Sequence, residues 1–281
     1  MKRILVPTDF SDYAAKALDY AVGVATATGS EIILIHVCEL LHYPFADKAY
    51  LVNDYNELKI AELTERLTKL KEQRADSPIT ITIKLSDGEI IDSILLAAEQ
   101  EKVDMIIMGT LGATGLKTVF FGTKTASVLS KSYIPVIAVP FDYEWKKPQT
   151  FLLAIRNHED TGMLEPVYDL AGAFNATLKL AIFSNKAAHA DELMEDARSI
   201  NRSWEEIRKR YPGKNTEFIH LSGTDFFSDL YQCMDSEKID LLIMITYQRN
   251  LIQELFNFSK TRQMAYHTAV PLLALHSAQP L

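Results

Sequence analysis

The stretch EKVDMIIM, residues 101–108, returns as EKIDLLIM at residues 237–244, which is 136 positions further along the 281-residue chain. Without a gap, the same offset aligns Ser86 with Ser222, Thr110 with Thr246 and Pro135 with Pro271. A repeat of about 140 residues is domain-sized and long enough to bury a core of its own. The sequence therefore predicts a tandem duplication, with domains at 1–142 and 149–281 and a Pro-containing, charged boundary at 141–149.

Short apolar runs rich in β-formers alternate with segments of helical period in both repeats. Near-continuous apolarity indicates strands that are covered on both faces. The alternation predicts βαβ units, so we expect an α/β fold: two tandem, doubly wound, Rossmann-like or flavodoxin-like domains with parallel sheets. The predicted strands are Ile4–Val6, Ile32–Val37, Ile79–Ile83, Met105–Met108 and Val136–Val139, then Phe151–Ile155, Leu178–Ile182, Phe218–Leu221, Leu241–Ile245 and Leu272–Leu275.

One-faced helices are predicted between these strands. Apolar residues recur at i, i+3, i+4 and i+7 from Ala14 to Ala25, and Leu63, Leu67 and Leu70 mark a second helix. A third is expected from Ala126 to Lys131. In the second repeat a helix is indicated by Leu193, Ala197, Ile200, Trp204 and Ile207.

Composition restricts the classes of function. With 48% hydrophobic and 23% charged residues the chain is typical of a globular protein, and a net charge of −8 disfavours nucleic acid and anionic membrane surfaces as partners. Two distant cysteines, Cys38 and Cys233, indicate a reducing compartment. The apolar run after Lys2-Arg3 ends at Pro7, too soon for a signal peptide, and no window is long enough to span a bilayer. We therefore expect a cytoplasmic protein.

Glycines follow the fourth strand, at Gly109, Gly112 and Gly115, and Gly122-Thr123-Lys124 opens the helix after them. Ligands of open parallel sheets bind beyond the carboxyl ends of the strands. Glycines let backbone amides approach phosphate oxygens, and a helix N-terminus offers unpaired N–H groups. The pattern favours a phosphate cradle, while simple turn glycines and solvent-facing lysines at 117 and 124 are the alternatives.

A carboxylate, Asp9, ends the first strand, where it is placed to accept from a ribose hydroxyl or to hold magnesium through water. The alternative is that Asp9 or Ser11 caps the first helix. The seven histidines show no metal-ligand spacing, and no GxSxG elbow, GxxxxGK[ST] loop or Cys/His couple is present. The sequence offers no nucleophile, so we expect a binding protein and not an enzyme.

The spacing Gly109-x2-Gly112-x9-Gly122-Thr123 resembles the complete G-x2-G-x9-G-(S/T) nucleotide motif of the universal stress protein family. The resemblance extends over nearly the whole chain as a tandem pair, through Ile4–Asp9, His36-Val37 and Ile134–Val136. It implies a five-stranded parallel sheet of order 3-2-1-4-5 in each domain. It also implies an ATP site with Mg²⁺, in which the binding residues are Pro7, Thr8 and Asp9 near ribose and metal, Val37 and Met108 around adenine, and Gly109, Gly112, Gly122, Thr123 and Lys124 at the phosphates.

The second repeat departs from this motif. At the same offset none of the three motif glycines, nor Gly115, is kept: Gly109 becomes Ile245, Gly112 becomes Gln248, Gly115 becomes Leu251 and Gly122 becomes Phe258, while Thr123 becomes Ser259. Asn157 stands where Asp9 stood. A bulky side chain would fill the phosphate space, and Ile245 could not adopt dihedral angles reserved for glycine. The sequence thus predicts one nucleotide per chain.

Family members generally pair through strand five, and this resemblance implies that Val136–Val139 and Leu272–Leu275 pair internally, with a further homodimer possible. The implied function is that of a stress-response or signalling module whose partner affinity changes with ATP. Two alternatives stay open. One is a scaffold, or a protein that binds another small ligand, and the other is an ATP-using enzyme of the adenine nucleotide α-hydrolase group, against which the chain lacks the SGGxDS and HIGH motifs.

Overall fold

The structure is a computed structural model, which describes residues 1–42, 49–110, 122–155, 164–185, 198, 201–202, 204–246 and 270–276. The chain divides into two compact units, Met1–Trp145 and Lys146–Leu281. This division lies inside the segment 141–149 and places three more residues in the first unit than the predicted boundary at residue 142. Among the described residues no helix combines the length and the apolar composition needed to cross a bilayer.

The first unit alternates strands and helices along its whole length. Its strands are β1 (Arg3–Pro7), β2 (Glu31–Cys38), β3 (Ile81–Asp87), β4 (Met105–Gly109) and β5 (Val136–Val139). Its helices are α1 (Asp12–Thr28), α2 (Ala49–Glu72), α3 (Ile90–Gln100) and α4 (Thr123–Lys131). The strands pair in parallel in the order β3-β2-β1-β4-β5. This confirms the doubly wound sheet and its 3-2-1-4-5 order.

The second unit repeats the arrangement. Its strands are β6 (Thr150–Ile155), β7 (Thr177–Asn185), β8 (Thr216–Gly223), β9 (Leu241–Thr246) and β10 (Leu272–His276), paired in parallel in the order β8-β7-β6-β9-β10. The helices are α5 (Glu165–Phe174), α6, whose described part is residues 204–210, and α7 (Phe226–Ser236). Trp204 and Ile207 lie in α6 as predicted, whereas Leu193, Ala197 and Ile200 lie outside the described residues.

The aspartate of the repeated stretch ties the first strand of each unit to the fourth. Asp104 Oδ2 accepts hydrogen bonds from the backbone N–H groups of Lys2 and Arg3, at 2.6 and 2.9 Å. Asp240 Oδ2 accepts from those of Gln149 and Thr150, at 2.8 and 3.1 Å. The stretch therefore supplies both a buried strand and the carboxylate that anchors its neighbour, which accounts for its reappearance.

Strand β3 is the element whose predicted position differs most. It begins at Ile81 and runs to Asp87, because its ladder with β2 continues to the pair Cys38 and Asp87. Polar residues such as Lys84 and Ser86 are tolerated in it, since this strand is the edge of the first unit's sheet and is only half buried. The predicted limits, Ile79–Ile83, followed the apolar residues and are wrong at both ends.

Two residues of the boundary segment pack against α1, which is why the first unit extends to Trp145. Tyr143 is 6% exposed, and its ring lies edge-on to Tyr20, 5.8 Å between centroids. The Trp145 indole lies over Gly23, where a Cβ atom would come within 2.1 Å of the ring. A glycine at this point of the helix is therefore required by the packing of the indole.

Candidate nucleotide-binding site

A cavity of about 480 Å³ opens at the carboxyl ends of β1, β2 and β4. This is the point at which the winding of the sheet reverses, where open parallel sheets place their ligands. The tenth predicted binding residue, Gly112, lies outside the described residues. The other nine all line the cavity: Pro7, Thr8, Asp9, Val37, Met108, Gly109, Gly122, Thr123 and Lys124.

One end of the cavity is formed by the first turn of α4. Gly122 is the N-cap of this helix, with φ −60° and ψ 149°, and no side chain caps the turn. The Gly122 N–H donates to the carbonyl oxygen of Thr110 at 2.6 Å, and Thr125 Oγ1 donates to that of Gly109 at 2.8 Å. These bonds join the helix to the end of β4, so its N-terminus faces the cavity, and no side chain of the described residues caps it. Such a terminus favours an anion.

Gly109 is needed for space and not for an unusual backbone angle. It does not adopt the left-handed region, and neither does Gly122. A Cβ atom on Gly109 would instead lie 2.7 Å from the carbonyl oxygen of Tyr13 in α1. The expectation that Ile245 is excluded by glycine dihedral angles is therefore wrong, because the restriction at Gly109 is the close approach of a neighbouring backbone.

The loop between β1 and α1 settles which residue caps the helix. Ser11 is the N-cap, and its hydroxyl accepts from the backbone N–H of Ala14 at 3.2 Å. Asp9 acts on Ser11, since its Oδ1 accepts from the backbone N–H of Ser11 at 3.1 Å and from its hydroxyl at 2.5 Å. Phe10 lies between them in the left-handed region, with φ 63°. The carboxylate of Asp9 thus lines the cavity and also orients the cap.

His36 is a lining residue that the sequence analysis did not assign to the site. Its Nδ1 lies 2.7 Å from the carbonyl oxygen of Thr8, and because a carbonyl only accepts, Nδ1 is the donor. The imidazole contacts the Phe10 ring at 4.5 Å, and the Arg66 guanidinium lies 3.9 Å from the centroid of that ring. Burial lowers the pKa of His36, and the positive charge of Arg66 lowers it further.

The opposite wall of the cavity is apolar. Ile90 and Ile94, in the first turns of α3, face it together with Ile35 and Met108. Neither α3 residue was predicted, although the signal was present in their i, i+4 spacing directly after the carboxyl end of β3. Ala14 and Thr125 complete the lining residues that sequence reasoning missed. The cavity therefore combines an apolar wall with a helix N-terminus, the two surfaces that a nucleotide base and its phosphates need.

Comparison with known proteins agrees with this geometry. The family model described as "Universal stress protein family" matches residues 1–140. Universal stress protein MJ0577 of Methanocaldococcus jannaschii is 33% identical over 154 residues, which cover 49% of this chain and 94% of that protein. The chain belongs to the universal stress protein family. A second protein of that organism, Universal stress protein MJ0531, is 29% identical over 148 residues, covering 53% of this chain and 84% of its own length.

The tandem organisation of this universal stress protein also has a solved counterpart. The crystal structure of a universal stress protein from Archaeoglobus fulgidus superposes with a TM-score of 0.68, covering 98% of both chains at 17% identity. At that identity the likeness concerns the fold, and it confirms two tandem doubly wound domains over the full length.

The second unit of the universal stress protein shows one of the altered motif positions. Ile245, the counterpart of Gly109, lies in β9 and is 2% exposed. The other counterparts, Gln248, Leu251, Phe258 and Ser259, lie outside the described residues, as does Asn157, which replaces Asp9. Within the described part of the chain no group of three or more His, Cys, Asp or Glu side chains is placed to hold a metal ion.

Proposed function

We propose that the first unit binds one ATP molecule with Mg²⁺, and that the chain is a cytoplasmic, nucleotide-dependent stress-response or signalling module. The observation that carries this proposal is the single cavity lined by nine residues of the nucleotide motif and its flanking strands. Residues from five separate segments of the sequence meet there, which a chance occurrence of turn glycines would not produce.

The phosphates are assigned to the end of the cavity formed by α4. The uncapped first turn of this helix presents amide N–H groups and the positive end of its dipole. Lys124, in the same turn, adds a cation at the cavity wall. Because Gly109 has no side chain, its backbone lies close to the backbone of Tyr13 in α1. Backbone atoms therefore form the surface of the cavity at this point.

The base is assigned to the apolar wall. Val37 and Met108 each lie one residue before the end of a strand that flanks β1, and Ile90 and Ile94 line the same cavity from α3. Burial of a flat aromatic ring between aliphatic side chains is favourable at about 25 cal/mol for each Å² of apolar surface removed from water. Backbone groups at the strand ends would then distinguish adenine from other bases.

Asp9 is the residue proposed to reach Mg²⁺. Magnesium in nucleotide sites keeps several waters and is held by one or two carboxylates together with phosphate oxygens. A carboxylate among the described lining residues fits that chemistry, and the bound ion would neutralise charge on the triphosphate.

We propose a binding function and not catalysis. His36 is the imidazole on the cavity wall, and its Nδ1 is engaged by the Thr8 carbonyl oxygen. Burial holds the pKa of His36 below the usual value, which makes the ring a weaker base than a free imidazole, and its Nδ1 bond fixes the end of β1. Slow hydrolysis would then reflect bound Mg²⁺ and water more than a dedicated general base.

The test is isothermal titration of Mg-ATP into the full chain and two charge-reversal variants. Lys124→Glu should weaken binding by about tenfold or more, because it places a negative charge beside the phosphates. Lys131→Glu, in the last turn of the same helix, is the matched control and should change affinity by less than about twofold. A stoichiometry of one is expected. No binding at millimolar Mg-ATP, or two equivalent sites per chain, would overturn the proposal.

The family resemblance further predicts that the edge strand β5 needs a partner strand. A protein ending after residue 145 should therefore dimerise or aggregate, because an exposed strand edge is a template for pairing. Sedimentation of that protein at several concentrations is the measurement, and a stable monomer would contradict the pairing.

A further inference from the structure

Exposed apolar side chains are concentrated at the beginning of α2. Ten large apolar side chains lie exposed among the described residues, and six of them fall between residues 41 and 60. Three of the six, Leu51, Tyr55 and Leu58, follow the i, i+4, i+7 spacing of one helical face. They are 52%, 49% and 73% exposed, and we call them the α2 patch.

The α2 patch faces away from the core of the first unit. The buried side of the helix is marked by Leu63 and Leu67, which are 7% and 0% exposed. Leu67 follows Leu58 by nine residues, which at about 100° per residue places it on the opposite side of the helix. The patch is therefore exposed because it lies on the side of the helix that faces away from the core, and not because the end of the helix is frayed.

The first turns of α2 also extend beyond the sheet. A helix of 24 residues is about 36 Å long, while the seven residues of β3 span about 23 Å. Residues 50–62 include no buried side chain. Asn56 exchanges two hydrogen bonds with the backbone of Leu41, and Lys59 Nζ donates to the carbonyl oxygen of Glu39 at 2.5 Å. These contacts fix the overhang beside the carboxyl end of β2, where the cavity also opens.

Acidic residues surround the α2 patch. Asp54, Glu57 and Glu62 lie in the same turns, and none of them forms an ion pair with a described residue. Glu65 forms an ion pair with Lys69, with 2.6 Å between Oε1 and Nζ. Lys59, the basic residue among positions 50–62, donates to the Glu39 carbonyl oxygen while its Nζ lies 5.9 Å from the centroid of the Tyr55 ring, so it offsets one of the three acidic charges. An apolar stripe with a negative rim complements an apolar stripe with a positive rim, since unpaired acidic groups steer cationic partners and repel acidic ones.

We propose that the α2 patch is a docking surface for a basic amphipathic helix of another protein, which packs its apolar face on Leu51, Tyr55 and Leu58 and sets Lys or Arg side chains against Asp54, Glu57 and Glu62. In helix-to-helix docking of this kind, the apolar side chains that anchor the helix are spaced at i, i+3, i+4 and i+7. The surface is separate from the nucleotide cavity, so this docking does not depend on the proposed binding of ATP.

The experiment uses the full chain without nucleotide and a labelled synthetic peptide of about 18 residues, built only from Leu and Lys, with Leu at helical spacing on one face. Fluorescence anisotropy should show saturable binding. The double variant Leu51→Ser/Leu58→Ser should weaken it about tenfold or more. Leu96→Ser, at a 54% exposed leucine of α3, is the matched control and should shift affinity by less than about twofold.

Charge reversal provides the second arm. The double variant Glu57→Lys/Glu62→Lys should weaken the binding of the Leu/Lys peptide and should allow a Leu/Glu peptide of the same pattern to bind. Binding that is equal for both double variants and the wild type would overturn the proposal. Two further results would also overturn it: self-association of the full chain in sedimentation that Leu51→Ser/Leu58→Ser abolishes, and patch-dependent binding to phosphatidylcholine vesicles. They would assign the surface to a second copy or to lipid.

Discussion

The imidazole of His36 donates a hydrogen bond through Nδ1 to the carbonyl oxygen of Thr8, across 2.7 Å. This bond joins β2 to the residue that follows β1, directly at the cavity. Phe10 lies against the imidazole, and Arg66 of α2 lies over Phe10. His36 of β2, Phe10 of the loop after β1 and Arg66 of α2 are thus in successive contact beside the cavity.

Stability should fall as the pH is lowered through the titration of His36. Burial lowers the pKa of His36 in the folded chain below its ordinary value of 6.5, Arg66 and Lys59 lower it, and the Thr8 bond and Asp9 oppose the shift. The unfolded chain therefore binds the proton more tightly, so the stabilisation is complete above pH 6.5 and is lost as the pH falls toward the folded pKa.

The measurement is urea unfolding from about pH 7.5 to pH 5, comparing wild type with His36→Asn, whose side-chain amide can donate to the same carbonyl. The advantage of the wild type should shrink as the pH decreases. A difference in the free energy of unfolding that stays constant with pH would show that His36 does not titrate in this range.

Gly109→Ala should destabilise the first unit by about 1–3 kcal/mol, the usual cost of forcing a methyl group into a packed space. The new Cβ would lie 2.7 Å from a backbone oxygen, that of Tyr13, which cannot move aside as a flexible side chain can. Gly172→Ala is the contrasting substitution, since nothing lies within 4 Å of its Cβ position in α5. It should stabilise by about 0.5–1 kcal/mol through helix propensity. Equal effects of the two in denaturant unfolding would contradict the steric explanation.

The contact between Gly23 and Trp145 can be isolated by a double-mutant cycle. Gly23→Ala should cost about 1–3 kcal/mol in the wild type, because the Cβ would lie 2.1 Å from the indole ring. In a Trp145→Ala background the same change should stabilise by up to about 1 kcal/mol, since alanine favours helix and no ring obstructs it. Thermal or denaturant unfolding gives the stability of the wild type, the two single variants and the double variant. A Gly23→Ala effect that is independent of residue 145 would show that the indole does not rest on this helix.

The equivalent aspartates Asp104 and Asp240 should differ in their contribution to the free energy of unfolding. Asp240 is 6% exposed, and Asp240→Ala removes the acceptor of two part-buried hydrogen bonds together with the ion pair to Lys146 Nζ at 2.5 Å, at a total cost of about 1–3 kcal/mol. Asp104 is exposed, so water can replace it in Asp104→Ala and the cost should be about 1 kcal/mol or less. Unfolding of both variants in denaturant compares them within one chain. A larger loss at Asp104 would contradict the role of burial.

Periodicity and repetition were sufficient to predict all ten strands and the duplication, because buried parallel strands are continuous apolar runs and a 136-residue offset is visible by eye. The limits of β3 were not predictable in this way, since an edge strand carries polar residues that hide its ends. The family resemblance that the glycine spacing carries implied nine of the lining residues. His36 was missed because it reaches the cavity through tertiary packing, which no local pattern encodes, whereas Ile90 and Ile94 were missed although their i, i+4 spacing directly after β3 is visible in the sequence.

The helix at the end of the cavity to which we assign the phosphates begins at a residue without a side chain, Gly122, and no described side chain caps it. Much of the recognition assigned to this end is thus carried by main-chain atoms, which an alanine scan leaves in place. Such a scan would underestimate the site, and residues such as Thr123 would look dispensable. Replacing single backbone amides by esters, which removes one N–H at a time, is the kind of alteration that would reveal where the recognition lies.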